Sequence, residues 1–115
     1  MPEVDLPEDR PRLLLVDDDD RFRERLAQAL RQRGYDVATA GSFGSGMDAA
    51  RTLRPQRAVL DLKMPGPSGL DLLAALRVEF PELQIVVLTG YGSVATAVEA
   101  MRQGACNYVA KPAHT

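Results

Sequence analysis

The sequence predicts a doubly wound α/β domain, in which a five-stranded parallel sheet carries helices on both faces. Two observations support this class. Short apolar runs alternate along the chain with stretches of helical periodicity, and the alternation repeats four times before a final fifth strand. Parallel strands need crossover connections of this length, and the crossover helices cover both faces of the sheet.

The five strands are predicted from short apolar runs bounded by turn residues. They are residues 12–16, 36–40, 58–61, 84–88 and 106–109. The fourth, QIVVL, is rich in the β-branched residues that favour strands. The first is a continuous apolar run, as expected for a strand that is buried on both faces.

The four helices are predicted from apolar residues spaced three and four apart. In chain order the stripes are Phe22, Leu26, Ala29 and Leu30; Phe43, Met47, Ala50 and Leu53; Leu72, Leu73, Leu76 and Phe80; and Val94, Ala97, Val98 and Met101. Gly34 and Gly104 follow the first and fourth stripes, where a C-terminal glycine is favoured. Pro55 and Pro81 end the second and third helices.

Length and composition predict one compact domain in a reducing compartment. The 115 residues carry a net charge of −2, which gives no electrostatic argument for direct nucleic-acid or membrane binding. Residues 1–10 are acidic and proline-punctuated and are predicted to be a disordered tail, with the domain over residues 11–115. One cysteine, Cys106, allows no internal disulfide, which fits the cytoplasm. We expect Cys106 to be a small buried residue at a strand start and His114 to be idle.

Polar side chains are predicted at the carboxyl ends of the strands, where sheets of this kind bind ligands. Asp17 and Asp18 follow the first strand, Asp61 ends the third, Thr89 follows the fourth and Lys111 follows the fifth. Clustered carboxylates repel each other unless a divalent cation is present, and oxygen ligands suit Mg²⁺ or Mn²⁺. With a hydroxyl and an ammonium nearby, the pattern predicts a phosphoryl-transfer site.

Simpler interpretations exist for each of these features. Asp19 and Asp20 are predicted to be an N-cap and an acidic first turn, and capping is also the alternative for Asp17 and Asp18. A turn aspartate before a Pro-Gly pair is the alternative for Asp61. Residues 90–95 fit G-x-G-x-x-A, but a dinucleotide-binding fingerprint follows the first strand, not the fourth. Because suitable polar residues are predicted at the carboxyl ends of four strands together, we favour the phosphoryl-transfer site over these separate interpretations.

Four segments, LLLVDDDD, VLDLKMPG, VVLTGYG and YVAKPA, resemble the receiver domain of bacterial two-component response regulators. The resemblance implies the flavodoxin-like strand order 2-1-3-4-5. It also implies that Asp61 accepts a phosphoryl group from the histidine of a sensor kinase. By the same resemblance, Mg²⁺ binds to Asp17, Asp18, Asp61 and the backbone carbonyl of Lys63.

The resemblance assigns further roles at the same end of the sheet. Thr89 and Tyr108 correspond to the switch residues of the family, although Tyr108 could also be an ordinary core residue. Lys111 corresponds to the lysine that stabilises the phosphoryl group. The peptide between Lys111 and Pro112 is expected to be cis, as is typical of the family.

Lys63 and Tyr91 lie two residues beyond the acceptor and the switch threonine, where receivers control the approach of water. Both are large, so we expect slow self-hydrolysis of the phosphorylated state.

Two other functions stay open. An aspartyl-phosphate enzyme of the haloacid dehalogenase type would need an aspartate at the position of Lys63. A phosphorylation-independent interaction module would not need the complete site. The receiver interpretation implies no enzyme activity beyond self-catalysed transfer and autodephosphorylation.

The segment GYGSVATAVEAMRQGACNYVAKPA more narrowly resembles redox-responsive global regulators of the PrrA/RegA type. That resemblance implies transcriptional control through a C-terminal helix-turn-helix domain, which would make the only DNA contact, and no membrane partner. The chain stops before the family's fifth helix, so we expect a truncated receiver. Apolar surface on the fifth strand and on the first helix, near Phe22 and Leu26, would then be uncovered, which could favour a homodimer.

Overall fold

A computed structural model describes residues 10–64, 66, 68–90 and 94–111. The strands are β1 (Arg12–Val16), β2 (Asp36–Ala40), β3 (Arg57–Asp61), β4 (Gln84–Thr89) and β5 (Asn107–Ala110). The helices are α1 (Asp20–Gln32), α2 (Phe43–Leu53), α3 (Gly69–Glu79) and α4 (Val94–Arg102). Each predicted strand agrees with the structure to within one residue at either end.

The sheet is parallel throughout, and its order β2-β1-β3-β4-β5 confirms the predicted order. Its register brings the carboxyl ends of the strands to one level. Val16 pairs with Leu60, so the residues that follow β1 lie beside the end of β3. Thr89 pairs with Ala110, so Lys111 follows directly beside the end of β4. The register therefore forms one polar rim from residues that are far apart in sequence.

One face of the sheet, here called the three-helix face, packs against α2, α3 and α4. Most of its strand residues are buried, and Leu14, Leu60 and Ile85 are completely so. Gly46 of α2 lets the helix approach β1 closely, because an added methyl would lie 3.3 Å from the side chains of Val16 and Leu72. This face holds most of the buried apolar surface of the described residues.

The opposite face, here called the one-helix face, packs against α1 alone among the described helices. Its buried cluster consists of Leu13, Leu15, Ala27 and Val37. Beyond α1 lies an open cavity of about 330 Å³, lined in part by Cys106. Edge strand β5 is exposed along its whole length. Within the described residues, the uncovered surface expected on the fifth strand is therefore present, whereas Phe22 and Leu26 of α1 are half-buried.

The prediction that Cys106 is buried is wrong, because its side chain is exposed. The residue precedes β5 on the one-helix face, beyond the reach of α1. The prediction for Ala29 is also wrong: Ala29 is exposed and Ala27 is fully buried. Ala27 lies on the side of α1 that includes Arg23 and Leu30, and Ala29 lies roughly a third of a turn away from that side.

Helix α4 faces the sheet with small residues rather than with its largest ones. Ala97 and Ala100 are buried, whereas Val94, Val98 and Met101 are exposed. Part of the stripe predicted for this helix is therefore on its outer side. None of the helices in the described ranges has the length and apolar character that a membrane span requires.

Candidate functional site

Three carboxylates meet at the polar rim. Asp17, Asp18 and Asp61 each offer an oxygen, and these oxygens lie within 4.8 Å of one another. Asp17 is completely buried, Asp61 is 2% exposed and Asp18 is exposed to solvent. The pairing of β1 with β3 causes this convergence, because each aspartate follows or ends a paired strand.

Asp17 is fixed at its backbone and on one side of its carboxylate. Its N–H donates to the carbonyl of Ala40 at 3.0 Å. Its Oδ1 accepts from the N–H of Asp19 at 2.8 Å and from Lys111 Nζ at 3.2 Å. Within the described residues its buried Oδ2 accepts no hydrogen bond, although Lys111 Nζ lies 3.0 Å away. A buried carboxylate oxygen without a hydrogen bond suits a metal ligand.

Asp61 lies in surroundings that oppose its negative charge. The pKa of its carboxyl is raised from 3.8 to about 6, chiefly by burial and also by the nearby charges of Asp17 and Asp18. The N–H of Lys63, which donates to Oδ1 at 3.2 Å, and the ammonium of Lys111 lower that pKa in part. A divalent cation would remove this repulsion, so the donor set fits Mg²⁺ or Mn²⁺.

Lys111 brings one positive charge to the three carboxylates. Its Nζ lies 3.5 Å from Asp61 Oδ2, and its N–H donates to the carbonyl of Thr89 at 2.8 Å. Burial lowers the pKa of the ammonium, but the hydrogen bond to Asp17 and the charge of Asp61 outweigh burial and raise it overall. The ring of Phe22 lies 4.8 Å from Nζ, close enough for a cation–π contact. The rim still keeps a net negative charge.

The other predicted site residues lie at the same rim or near it. Thr89 is buried at the end of β4, and Lys63 is exposed. Tyr108, on neighbouring β5, is 48% exposed, so it is not an ordinary core residue. Tyr91 and Pro112, with the expected cis peptide, lie outside the described residues, as does His114.

The four consecutive aspartates divide into two pairs with different environments. Asp19 is the N-cap of α1, and its side chain accepts from the N–H of Phe22 at 3.1 Å. Asp20 lies in the first turn of that helix. Both predictions are confirmed, and only Asp17 and Asp18 join the carboxylate cluster.

Helix α3 begins directly against the backbone of Asp61. The N–H of Gly69 donates to the carbonyl of Leu62 at 3.2 Å. A methyl group at position 69 would collide with the carbonyl oxygen of Asp61 and with the Cα of Leu62. Ser68 caps the helix through reciprocal hydrogen bonds with Asp71. The segment after Asp61 is therefore anchored at both ends.

Two residues near the site were missed by the sequence analysis. Phe22 was assigned only to an apolar stripe, yet its ring contacts Lys111. Arg23 donates from Nη1 to the carbonyl oxygen of Asp17 at 2.8 Å. A charged residue on the inward side of an amphipathic helix needs buried partners, and that signal could have identified Arg23.

Comparison with known proteins identifies relatives of the whole described domain. Residues 13–115 match the response regulator receiver domain family. The acid tolerance regulatory protein ActR of Rhizobium meliloti is 48% identical over 101 residues, covering 88% of this chain and 52% of that protein. The photosynthetic apparatus regulatory protein RegA of Cereibacter sphaeroides is also 48% identical over 101 residues, covering 88% and 55%. The chain thus spans about half the length of these relatives.

A solved structure supports the same relationship. It is a response regulator from Burkholderia pseudomallei with a phosphorylated aspartic acid, a calcium ion and citrate. It is 40% identical to this chain with a TM-score of 0.83, and the match covers 90% of this chain and 61% of that one. The resemblance to receivers, and to the RegA type among them, is confirmed. This chain belongs to the receiver domain family of two-component response regulators.

Proposed function

We propose that this receiver takes a phosphoryl group onto Asp61 from the histidine of a sensor kinase. Asp17, Asp18, Asp61 and the backbone carbonyl of Lys63 would hold Mg²⁺ or Mn²⁺. The observation that carries the proposal is the cluster of three carboxylates, with Lys111 paired to Asp17 and Asp61. The phosphorylated aspartic acid and calcium ion of the similar Burkholderia regulator support it.

The transfer requires a nucleophile and the neutralisation of negative charge on the phosphoryl group. A carboxylate oxygen of Asp61 attacks phosphorus, a P–O bond forms, and the P–N bond of the phosphohistidine breaks. The bonding pair remains on the histidine nitrogen. Lys111 neutralises charge on the phosphoryl oxygens, and the hydroxyl of Thr89 donates to one of them. When bound, the divalent cation neutralises the remaining negative charge at the rim.

Thr89 and Tyr108 would transmit the phosphorylated state. Thr89 is buried at the end of β4, and the half-exposed ring of Tyr108 lies on the adjacent strand. If the hydroxyl of Thr89 turns towards the phosphoryl group, the ring of Tyr108 gains space to move inward. This change would alter the outer surface of β5 and α4.

Lys63 and Tyr91 would set the lifetime of the phosphorylated state by shielding it from water. The backbone N–H of Lys63 donates to Asp61 Oδ1 at 3.2 Å, so its side chain begins close to the acceptor, which supports this role. The receiver would release its phosphoryl group slowly and would not act as an enzyme on a separate substrate.

The longer relatives suggest what the receiver controls. Both are named as regulatory proteins, and each is nearly twice as long as the matched segment. We propose that the whole protein controls transcription in the cytoplasm through a C-terminal helix-turn-helix domain that binds DNA, and that the receiver can form a homodimer.

Phosphorylation by acetyl phosphate tests the central proposal. With Mg²⁺ present, we expect one acid-labile phosphoryl group, which mass spectrometry should map to Asp61. Asp61→Asn removes the nucleophile while nearly preserving shape, so incorporation should be lost. Asp48→Asn, which changes an exposed carboxylate on α2, should leave incorporation unchanged. Equal incorporation after Asp61→Asn would contradict the assignment.

A further inference from the structure

Arg23 lies on the inward side of α1, where the other residues are apolar or small. Its side chain is only 16% exposed. Nη1 donates to the carbonyl oxygen of Asp17 at 2.8 Å, and Nη2 donates to Asp20 Oδ1 at 2.8 Å. Its buried Nε makes no hydrogen bond within the described residues. The guanidinium is therefore held by one bond to the segment that joins β1 to α1 and by one bond to the first residue of α1.

The end of β2 leaves room for this guanidinium. Gly41 follows β2, and a methyl group there would lie 3.0 Å from Arg23 Nη1. The preceding residue, Ala40, accepts a hydrogen bond from the N–H of Asp17 at 3.0 Å. The backbone of Asp17 is thus held at its N–H by β2 and at its carbonyl by Arg23.

Holding that backbone matters because the side chain of Asp17 is completely buried. A buried carboxylate has few alternative rotamers, so a shift of its backbone moves its oxygens away from those of Asp61. Groups that orient metal ligands in this way commonly change metal affinity 10- to 100-fold when they are removed.

We propose that Arg23, seated in the space left by Gly41, is a positioning residue that keeps Asp17 and Asp18 in metal-binding geometry. The inference rests on the proposed Mg²⁺ site. It predicts weaker Mg²⁺ binding without Arg23, with little change in the transfer step once the metal is saturating. If Arg23 merely tied α1 to the sheet, its removal would lower the free energy of unfolding without weakening Mg²⁺ binding specifically.

The chain offers a matched control on the same helix. Arg31 Nη2 donates to the carbonyl of Val37 at 3.0 Å, so it ties α1 to β2 through a backbone oxygen, as Arg23 ties α1 to the residue that follows β1. It lies two turns further along the helix and does not contact the carboxylate cluster. Arg31→Met therefore removes a similar tether without affecting the segment after β1.

The experiment compares Arg23→Met with Arg31→Met in the full chain. Mg²⁺ affinity is measured by calorimetry, and the rate of phosphorylation by acetyl phosphate is measured across a Mg²⁺ series. Arg23→Met should raise the Mg²⁺ Kd and the half-saturating Mg²⁺ concentration by about tenfold. The rate at saturating Mg²⁺ should stay within about twofold of the unmodified chain, and Arg31→Met should change neither Kd nor half-saturation.

Gly41→Ala tests the same contact from the other side. The added methyl pushes the guanidinium aside by a few tenths of an ångström. Mg²⁺ affinity should therefore fall, by less than in Arg23→Met, even though Arg23 is still present. In the Arg23→Met background, Gly41→Ala should have almost no further effect, because the two changes act through one contact. Arg23→Lys keeps the charge and one donor, so it should restore part of the affinity.

A Mg²⁺ Kd that is the same in Arg23→Met and Arg31→Met would overturn the proposal, as would additive effects of Arg23→Met and Gly41→Ala. If the unmodified chain binds Mg²⁺ but takes up no phosphoryl group, the proposed phosphotransfer fails. The Mg²⁺ titrations of the variants would still decide the role of Arg23. An unmodified chain that binds no Mg²⁺ would overturn both proposals.

Discussion

The two faces of the sheet bury their apolar side chains to different depths. On the three-helix face, Leu72, Leu73 and Leu76 of α3 are fully buried, as are strand residues such as Leu60 and Ile85. On the one-helix face, Leu26, Leu30 and Val59 are only half-buried, and an open cavity remains beside Cys106. Yet α1, on this less packed face, supplies two side chains that contact residues of the site: Phe22 contacts Lys111, and Arg23 donates to the backbone carbonyl of Asp17. The three-helix face therefore holds the deeper apolar core, whereas the one-helix face supplies side chains that contact the residues of the site.

The largest expected effect is a difference between core substitutions on the two faces. Leu76→Ala on the three-helix face should lower the free energy of unfolding by about 3 kcal/mol, because Leu76 is fully buried and the cavity would persist. Leu30→Ala on the one-helix face should cost only about 1 kcal/mol, since Leu30 is already partly exposed. Urea unfolding of both variants measures this, and equal losses would remove the distinction between the faces.

A smaller effect should arise at the rim, where the two faces meet. The raised pKa of Asp61 means that the folded chain binds a proton more tightly than the unfolded chain does. This group therefore destabilises the metal-free chain as pH rises from about 4 to about 6. Asp61→Asn should remove that cost, making the variant more stable by as much as about 2 kcal/mol at pH 7 and by almost nothing below pH 4.

Urea unfolding of Asp61→Asn and the unmodified chain, in chelator at both pH values, measures this difference. Saturating Mg²⁺ should reverse its sign at pH 7, because the metal stabilises only the chain with the complete set of carboxylates. A difference that does not depend on pH would show that Asp61 is not strained by its surroundings. In that case the unfolding free energies of the Leu76→Ala and Leu30→Ala variants could be compared at any pH, because Asp61 would add no pH-dependent cost.

The smallest expected effect lies at the exposed margin of the one-helix face. Arg57 Nη1 donates to the hydroxyl of Tyr35 at 2.7 Å, and its guanidinium lies 5.7 Å from the centre of the ring. Tyr35→Phe removes only the hydrogen bond, so we expect a loss of about 0.5 kcal/mol by thermal or urea unfolding. A loss above about 2 kcal/mol would show that this margin is as well ordered as the three-helix face.

The strands and the polar rim could be predicted because the signals that define them are local. Each strand is a short apolar run bounded by turn residues, and Gly34 and Gly104 end their helices with the positive φ expected there. Once the strands are parallel, their carboxyl ends must share an edge. The convergence of Asp17 with Asp61 follows from that constraint and needs no knowledge of the side-chain packing.

The remaining features depend on contacts that periodicity does not encode. Alanine is small enough to lie on either side of a helix, so Ala27 and Ala29 could not be distinguished by pattern alone. The exposure of Cys106 depends on how far α1 extends over the sheet. The position of Arg23 on the inward side of α1 could have marked it as partnered, but its bond to the backbone carbonyl of Asp17 has no sequence signature.

The close contact of Gly69 with Asp61 has a consequence for how this chain can tolerate changes in length. The segment between them begins after Asp61 and ends at Gly69, which packs against the backbone of Asp61 and Leu62. This contact fixes both ends of the segment and does not involve its middle. Lengthening a closed segment costs little entropy, about 0.6 kcal/mol for each doubling. Residues inserted next to the exposed Gly66 would extend this segment into solvent while Asp61 kept its position. Insertion variants that kept their uptake of phosphate would show that this rim can acquire new surface for partners without loss of its chemistry.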